Sequence, residues 1–244
     1  MNLTRYNGLV TTRLLWLLWF AGVSLFVAVW LYPVSTATTR LAGLVLLVAD
    51  WLGLAALVWR HRLLRFGWIG VTGLGAIFLA MPGRHVVDAA SLRGSYVAGL
   101  RRYEGVTYHW GGESPTGIDC SGLVRRGLID SAFLRGLGTF DAGLVRHAIW
   151  LWWHDCSAKD LGEGHGLTTH LFDTTSLNAL DHSKILPGDL AVTSNGVHIM
   201  AYLGDRLWIE ADPGAGRVIT VLVPFKNYYF ARPMNIVRWD LLQP

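Results

Sequence analysis

The residues of this chain best suited to chemistry are one cysteine and one histidine, Cys120 and His198. Cys120 follows a glycine-rich turn and precedes residues 122–129, a run that predicts a helix. The N-terminus of a helix offers unpaired N–H groups and a partial positive charge, which together favour a thiolate over a thiol. Because the thiolate is the nucleophilic form, this position predicts a catalytic cysteine. The alternative is a buried, inert cysteine beside a tight turn.

A nucleophilic cysteine needs a base, and that base needs a group to orient it. His198 lies in residues 197–203, which predict a strand, and Glu210 lies in the next predicted strand, 207–211, across a turn at 204–205. We therefore expect both side chains at comparable depths on neighbouring strands, where a carboxylate would accept the second imidazole N–H and fix its tautomer. A core histidine bonded to a backbone carbonyl is the alternative.

The elements that must position these residues form an α+β unit after Pro82. Helices are predicted at 86–103 and 139–158, and residues 159–184, rich in Gly, Thr, Ser and Asn, predict a loop. The order is helices first and an antiparallel sheet afterwards, rather than the alternation of a parallel sheet. The strands are predicted at 190–192, 197–203, 207–211 and 217–223, with 229–232 or 236–238 closing the sheet.

The first 82 residues predict a membrane domain. The chain is 52% hydrophobic and only 16% charged, against roughly 25% charged residues in soluble domains. Uncharged apolar runs occupy 14–32 and 66–81, and 41–59 is broken only by Asp50. The first two reach the length of a membrane span, and the third is shorter. A cleavable signal peptide is an alternative for the first run, with a cleavage site near 35–37.

Arginines set the predicted orientation. They precede the first run and crowd the 60–65 loop, whereas the loop between the first two runs holds only Arg40. The positive-inside rule then places the N-terminus and the 60–65 loop in the cytoplasm and everything after Pro82 outside it. If the third run only lies in the membrane interface, the C-terminal unit would be cytoplasmic instead.

Two short motifs resemble the active-site signature of the NlpC/P60 cysteine peptidases. They are Tyr-His-Trp-Gly-Gly at 108–112 and Gly-Ile-Asp-Cys-Ser-Gly-Leu at 117–123. Residues 186–190 resemble the turn before the central strands of that family, and 198–204 resemble its histidine strand. The likeness covers about residues 86 to 240 and implies a papain-like α+β domain, here from residue 83 to residue 244.

The resemblance also implies roles for single residues. Cys120 would be the nucleophile, His198 the base, Glu210 the third polar residue and Tyr108 the tyrosine that contacts the thiol. The third position in the family is usually His, Asn or Gln, so Glu210 is a departure. Three further residues are expected to line the substrate site: Trp110, Asp119 and Ser121.

An insert at about 131–178 is the second departure, because it lengthens the segment between Cys120 and His198. It is rich in tryptophan and is predicted to form a lid or a substrate wall. Asp155 and Cys156, with histidines nearby, also invite comparison with metal sites, but their spacing matches no common zinc pattern. No metal or other cofactor is predicted.

The resemblance implies thiol-dependent cleavage of amide bonds in peptidoglycan stem peptides, often between D-glutamate and a diamino acid. The expected partners are those peptides and the lipid bilayer of a bacterial plasma membrane, with the hydrolase unit on the outer side. Nucleic-acid binding has little support because the arginines are dispersed, and the sequence does not indicate an oligomeric state. Two alternatives are a thiol hydrolase or transferase acting on lipids or other acyl groups, and a non-catalytic module that binds wall peptides or partner proteins.

Overall fold

The computed structural model describes residues 3–83, 88–165 and 167–244, which divide into two compact units. The first unit extends through Tyr32 and from Thr36 to Ala80. The second contains Met81–Pro244 together with the short segment Pro33–Ser35. The predicted catalytic residues Cys120, His198 and Glu210 all lie in the second unit.

Three long helices make up the first unit: α1 (Leu3–Trp30), α2 (Ala37–Val58) and α3 (Arg62–Ala80). Each is long and apolar enough to cross a membrane, and the candidate spans are Thr12–Trp30 and the whole of α2 and α3. Large apolar side chains lie exposed along all three helices, as expected of surfaces that face lipid. The Asp50 carboxylate on α2 contacts Gly22 on α1, where a side chain would collide with it.

Four helices open the second unit: α4 (Ala89–Arg101), α5 (Cys120–Gly138), α6 (Ala142–Trp153) and α7 (Ala158–Gly162). Each begins after a residue whose side chain accepts a hydrogen bond from the first turn, in order Asp88, Asp119, Asp141 and Ser157. Such caps satisfy N–H groups that have no partner inside the helix. The helix predicted at 86–103 is thus shorter, and its first two positions lie outside the described residues.

A six-stranded antiparallel sheet follows, in the order β3-β8-β4-β5-β6-β7. The α+β prediction is confirmed. Of the two segments expected to close the sheet, 236–238 belongs to a strand, but this strand lies inside the sheet rather than at its edge, and 229–232 is not a strand. The strands are β3 (Thr168–Thr174), β4 (Leu190–Thr193), β5 (Ile199–Gly204), β6 (Leu207–Asp212), β7 (Arg217–Leu222) and β8 (Met234–Trp239). A separate two-stranded sheet, β1 (Glu113–Ser114) and β2 (Gly117–Ile118), precedes α5.

The prediction that 159–184 is largely loop is wrong, because this segment contains most of α7 and all of β3. β3 is rich in threonine, which suits a strand, and all its pairing is with β8, whose paired residues lie sixty or more positions later in the chain. The local composition of a segment does not reveal a pairing partner so distant in the chain. The insert at 131–178 is therefore regular structure, comprising the end of α5 together with α6, α7 and β3.

The hairpin between β5 and β6 also differs from the prediction. Its turn residues are Asp205 and Arg206, both with positive φ (51° and 63°), while Gly204 lies at a bulge with φ of 99°. Two consecutive residues with positive φ make a tight turn whose twist suits a β-hairpin. The turn is thus one residue later than 204–205.

The sheet buries both of its faces. Alternate residues such as Leu190 and Ala201 pack with α4, α5 and α7 in one core, whereas Ala191 and Tyr202 pack in a second core beneath the 177–185 and 225–230 segments. A buried ion pair joins the turn before β4 to β8: Arg238 Nε and a second guanidinium nitrogen donate to the Asp189 carboxylate at 2.6 and 2.7 Å. The resulting frame holds β4, β5 and β6, the strands that carry the site.

Candidate active site

Cys120 is the first residue of α5, and Asp119 is its N-cap. Asp119 Oδ1 accepts a hydrogen bond from the backbone N–H of Gly122 at 2.6 Å and from the Ser121 hydroxyl at 3.0 Å. Asp119 Oδ2 accepts from the N–H of Gly111 at 2.9 Å. The Asp119 carboxylate therefore caps the helix and also binds the backbone of the glycine turn. These contacts fix the position of the thiol.

The glycine turn lies against the first turn of α5 so closely that two positions admit no side chain. A Cβ added at Gly122 would collide with the carbonyl oxygen of Gly112, and a Cβ at Gly112 would come within 2.5 Å of the Gly117 oxygen. Glycine at these two positions permits the close approach. The backbone around Cys120 is thus set by packing as well as by the cap.

His198 immediately precedes β5 and is held through its backbone by Thr193 at the end of β4. The Thr193 hydroxyl accepts from the His198 N–H at 2.9 Å, and the Thr193 N–H donates to the His198 carbonyl at 3.0 Å. Ala201 pairs with Ile209 across β5 and β6. Extending this register puts His198 and Glu210 one diagonal step apart on the same face of the sheet.

The structure brings Cys120, His198 and Glu210 together. His198 Nε2 lies 2.6 Å from Glu210 Oε2, and both side chains are buried. A side-chain hydrogen bond also joins His198 to Cys120. Because Nε2 is engaged by Glu210, the ring nitrogen that faces the thiol is Nδ1. Thiol, imidazole and carboxylate therefore form one hydrogen-bonded chain.

The electrostatics of this chain favour a protonated imidazole. Burial lowers the pKa of His198, but its hydrogen bonds to Cys120 and Glu210 and the charges of both groups outweigh burial and raise the pKa to about 9. Glu210 Oε1 is buried and has no hydrogen-bond partner among the described residues. The buried carboxylate thus depends on His198 for its compensation, which favours the imidazolium form of the ring.

Two tyrosines flank the cysteine. Burial, followed by the charge of Cys120, raises the pKa of Tyr108 to about 12, and the same two causes raise the pKa of Tyr229. Both phenols therefore stay protonated at neutral pH and are available to donate a hydrogen bond near the thiol. Contact between Tyr108 and the thiol stays a prediction.

The remaining predicted substrate-site residues differ in their surroundings. Asp119 and Ser121 lie beside Cys120, but their side chains bond to each other, and Asp119 also bonds to the backbone. Through these contacts, both side chains stabilise the first turn of α5. Trp110 is 77% exposed at the outer side of the glycine turn. Contact of these three with a substrate stays a prediction.

Tyr229 is the site residue that sequence reasoning missed. Its ring stacks on the His198 ring with centroids 3.9 Å apart and planes at 16°. The sequence suggests a strand at 229–232, whereas Tyr229–Ala231 forms a 3₁₀ turn. Asn227 begins this turn by accepting from the Tyr229 N–H at 3.0 Å, and its amide donates to Asp212 of β6 at 3.1 Å. The only signal in the sequence is the Asn-Tyr-Tyr run before an apolar residue.

A buried arginine connects the insert to the glycine turn. Arg125 on α5 forms an ion pair with Asp155, donates to the Leu151 carbonyl at 2.7 Å, and lies 3.4 Å from the buried carboxylate of Glu113. The neighbouring Cys156 is buried, and burial raises the pKa of its thiol to about 11. In the described part of the chain, no group of three or more His, Cys, Asp or Glu side chains is placed to hold a metal ion.

Comparison with known proteins gives one family match. The model of the NlpC/P60 family matches residues 105–135, the segment that contains the glycine turn and Cys120. A search of curated protein sequences finds no match.

Solved structures similar to this chain include several NlpC/P60 proteins. The P60 domain of an antigen from M. avium subspecies paratuberculosis is 20% identical, with a TM-score of 0.40, over 65% of this chain and 100% of that domain. The peptidoglycan hydrolase RipB from Mycobacterium tuberculosis is 19% identical, with a TM-score of 0.40, over 67% of this chain and 76% of its own.

NlpC1 from Trichomonas vaginalis is 17% identical, with a TM-score of 0.39, over 65% of this chain and 47% of its own. This chain thus spans about half the length of NlpC1. The match to the NlpC/P60 family model falls on the same cysteine segment that carried the sequence resemblance.

Proposed function

We propose that this protein is a membrane-anchored cysteine peptidase that hydrolyses amide bonds in peptidoglycan stem peptides, of the type between D-glutamate and a diamino acid. The observation that carries the proposal is the hydrogen-bonded chain from Cys120 through His198 to the buried carboxylate of Glu210. The match of residues 105–135 to the NlpC/P60 family model supports the substrate class.

The geometry supports an acyl-transfer mechanism. The thiolate of Cys120 attacks the carbonyl carbon, and the electrons of the C=O bond move to oxygen. The backbone N–H of Cys120, at the N-terminus of α5, is suited to stabilise that oxyanion, because N–H groups in a first helical turn have no acceptor inside the helix. The His198 imidazolium then donates its Nδ1 proton to the leaving nitrogen, so that the C–N bond breaks and a thioester forms.

Hydrolysis of the thioester uses the same groups in reverse. Water attacks the thioester carbon while neutral His198 accepts a proton from it, and the C–S bond breaks to release the acid and restore the thiolate–imidazolium pair. Glu210 holds the ring by Nε2 throughout, so that Nδ1 stays directed at the reacting atoms. Its negative charge offsets the imidazolium, which favours the resting ion pair.

The three apolar helices of the first unit support membrane anchoring. We infer from the arginine distribution that the 60–65 loop is cytoplasmic and that the hydrolase unit, residues 83–244, lies on the outer side of a bacterial plasma membrane. A reporter enzyme that is active only outside the cytoplasm, fused after Gln243, should be active. Activity only of a cytoplasmic reporter at the same position would reverse this orientation.

Mass spectrometry of peptidoglycan fragments, incubated with the full chain in detergent, tests the proposed reaction. Wild type should release new amino termini from stem peptides, and the masses of the products identify the bond. The Cys120→Ala variant should release none, while Cys156→Ala should retain activity because Cys156 is outside the hydrogen-bonded chain. Cleavage that survives Cys120→Ala would overturn the mechanism, and release of fatty acid from lipid in place of peptide cleavage would favour a lipid-directed acyl hydrolase.

A further inference from the structure

A surface cleft of about 260 Å³ lies beside His198 and is not used by the mechanism above. Two of its lining residues connect it to the site: Val197 precedes His198 in the chain, and Tyr229 stacks on the His198 ring at 3.9 Å. We call it the Arg232 cleft, after the cation that lines it. Its lining includes Thr193, Asn195, Val197, Tyr228, Tyr229 and Arg232.

The charge of this cleft is positive. Among the described residues that line it, Arg232 is the cation and none is acidic. No ion pair with a carboxylate engages Arg232 in the ranges that the structure describes. The guanidinium carbon instead lies 4.2 Å from the centre of the Tyr228 ring. Stacking on an aromatic face holds a guanidinium while leaving the N–H groups at its edge available to an anion.

Neutral donors complete the lining. Asn195 Oδ1 already accepts from the Val197 N–H at 3.2 Å, so the amide NH₂ is its remaining hydrogen-bonding group. Thr193 Oγ1 is occupied by the backbone N–H groups of Val197 and His198, at 3.1 and 2.9 Å. One cation with a neighbouring amide N–H donor, and no competing carboxylate, is the chemistry that recognises a carboxylate group.

We propose that the Arg232 cleft binds a carboxylate of the peptide substrate next to the scissile amide. This inference rests on the proposed peptidase function and adds to it: the enzyme prefers peptides that carry a free carboxylate at the position that reaches the cleft. The carboxylate belongs either to the residue that forms the thioester or to the residue that leaves.

Two pairs of synthetic peptides distinguish these sources. In the first pair the carboxylate on the acyl side of the scissile bond is free or amidated, and in the second pair the carboxylate on the leaving side is free or amidated. With the full chain in detergent, kcat/KM for the acid should exceed that for the amide by about tenfold to a hundredfold in one pair, as expected for a hydrogen bond to a charged group.

Arg232→Gln should reduce that acid-to-amide ratio to nearly one, and Arg232→Lys should give an intermediate ratio because it keeps the charge but loses the planar donor edge. Arg102→Gln is the matched control, since Arg102 is an exposed arginine at the end of α4 and outside the cleft. A ratio that is equal in wild type and Arg232→Gln for both pairs would overturn the proposal.

Binding of the same peptides to Cys120→Ala, measured by calorimetry, separates this proposal from the proposed function. If wild type cleaves none of the peptides, the peptidase function fails for this class, and the cleft is then judged by binding alone. The acid should bind at least tenfold more tightly than the amide, and a further Arg232→Gln change should remove the difference. Equal affinity of acid and amide for Cys120→Ala would refute the carboxylate site.

Discussion

The ring of Tyr229 lies flat on the ring of His198, with the centroids 3.9 Å apart and an angle of 16° between the planes. Glu210 fixes one edge of the imidazole by a 2.6 Å contact at Nε2, but hydrogen bonds in the plane of the ring do not by themselves stop the ring from tilting. The stacked tyrosine restricts that tilt. The orientation of Nδ1 toward Cys120 therefore depends on a residue that makes no hydrogen bond to the imidazole.

Replacement of Tyr229 tests this dependence. Tyr229→Ala should lower kcat about three- to tenfold, since a stacked aromatic pair contributes roughly 0.5–1.5 kcal/mol. Tyr229→Phe keeps the stacked ring and should retain kcat within about twofold. Steady-state hydrolysis of a stem peptide measures both. An unchanged kcat in Tyr229→Ala, or an equal loss in both variants, would contradict a positioning role for the ring.

Glu210→Gln should shift the pH profile. The pKa of His198 is raised from 6.5 to about 9 in the folded protein, so the imidazolium that protonates the leaving nitrogen is present at neutral pH and is lost as pH rises through about 9. Glutamine removes the negative charge and lowers that pKa, so the alkaline limb of kcat/KM should move to lower pH. An alkaline limb at the same pH in both proteins would exclude this electrostatic role.

The same raised pKa affects stability. A group whose pKa is higher in the folded state stabilises that state fully below its unfolded pKa, near 6.5, and this contribution is lost as pH rises through about 9. Between about pH 7 and about pH 10, the melting temperature of wild type should therefore fall further than that of Glu210→Gln. Thermal unfolding followed by circular dichroism measures both.

The two cysteines should differ in reactivity toward iodoacetamide. Cys120 hydrogen-bonds to the His198 imidazolium, whereas burial raises the pKa of Cys156 to about 11, so that Cys156 stays a thiol near neutral pH. Brief treatment of the native protein should alkylate Cys120 and abolish activity, as peptide mass spectrometry after digestion would show. Preferential alkylation of Cys156 would contradict the assignment of Cys120 as the nucleophile.

Two glycines in helices provide a matched pair of substitutions. A Cβ at Gly122 would collide with the carbonyl oxygen of Gly112, so Gly122→Ala should destabilise the protein by about 2 kcal/mol or more and displace Cys120. Gly94 in α4 has nothing within 4 Å of its added Cβ, and Gly94→Ala should stabilise by about 0.5–1 kcal/mol. Thermal unfolding measures both changes. Equal effects of the two substitutions would exclude the close approach as the cause.

Sequence reasoning reached the residues whose local context carries a physical signal. A cysteine between an Asp-Ser pair at the start of an apolar helical run is recognisable from its neighbours alone, and α5 indeed begins at Cys120. His198 and Glu210 were paired correctly even though the turn was placed one residue early. A two-residue turn at 204–205 would have directed the two side chains to opposite faces of the sheet. The later turn, together with the bulge at Gly204, puts them on the same face.

The residues that were missed act through contacts distant in the chain. Tyr229 reaches His198 from a 3₁₀ turn after β7, and no periodicity marks that turn. Arg125 and Glu113 likewise meet only in the folded unit, where their side chains lie 3.4 Å apart and are both buried. The sequence shows that such residues are polar, but the tertiary fold decides which residues they contact.

The pairing of β3 with β8 gives the insert a protective role. β3 comes from the insert and forms the sheet margin next to β8, whose backbone would otherwise present a row of open N–H and C=O groups. An unpaired, apolar strand edge is a template for edge-to-edge association between molecules. A shortened protein in which residues 131–178 are replaced by a brief linker would therefore be expected to self-associate through β8, even where Cys120 and His198 remain intact.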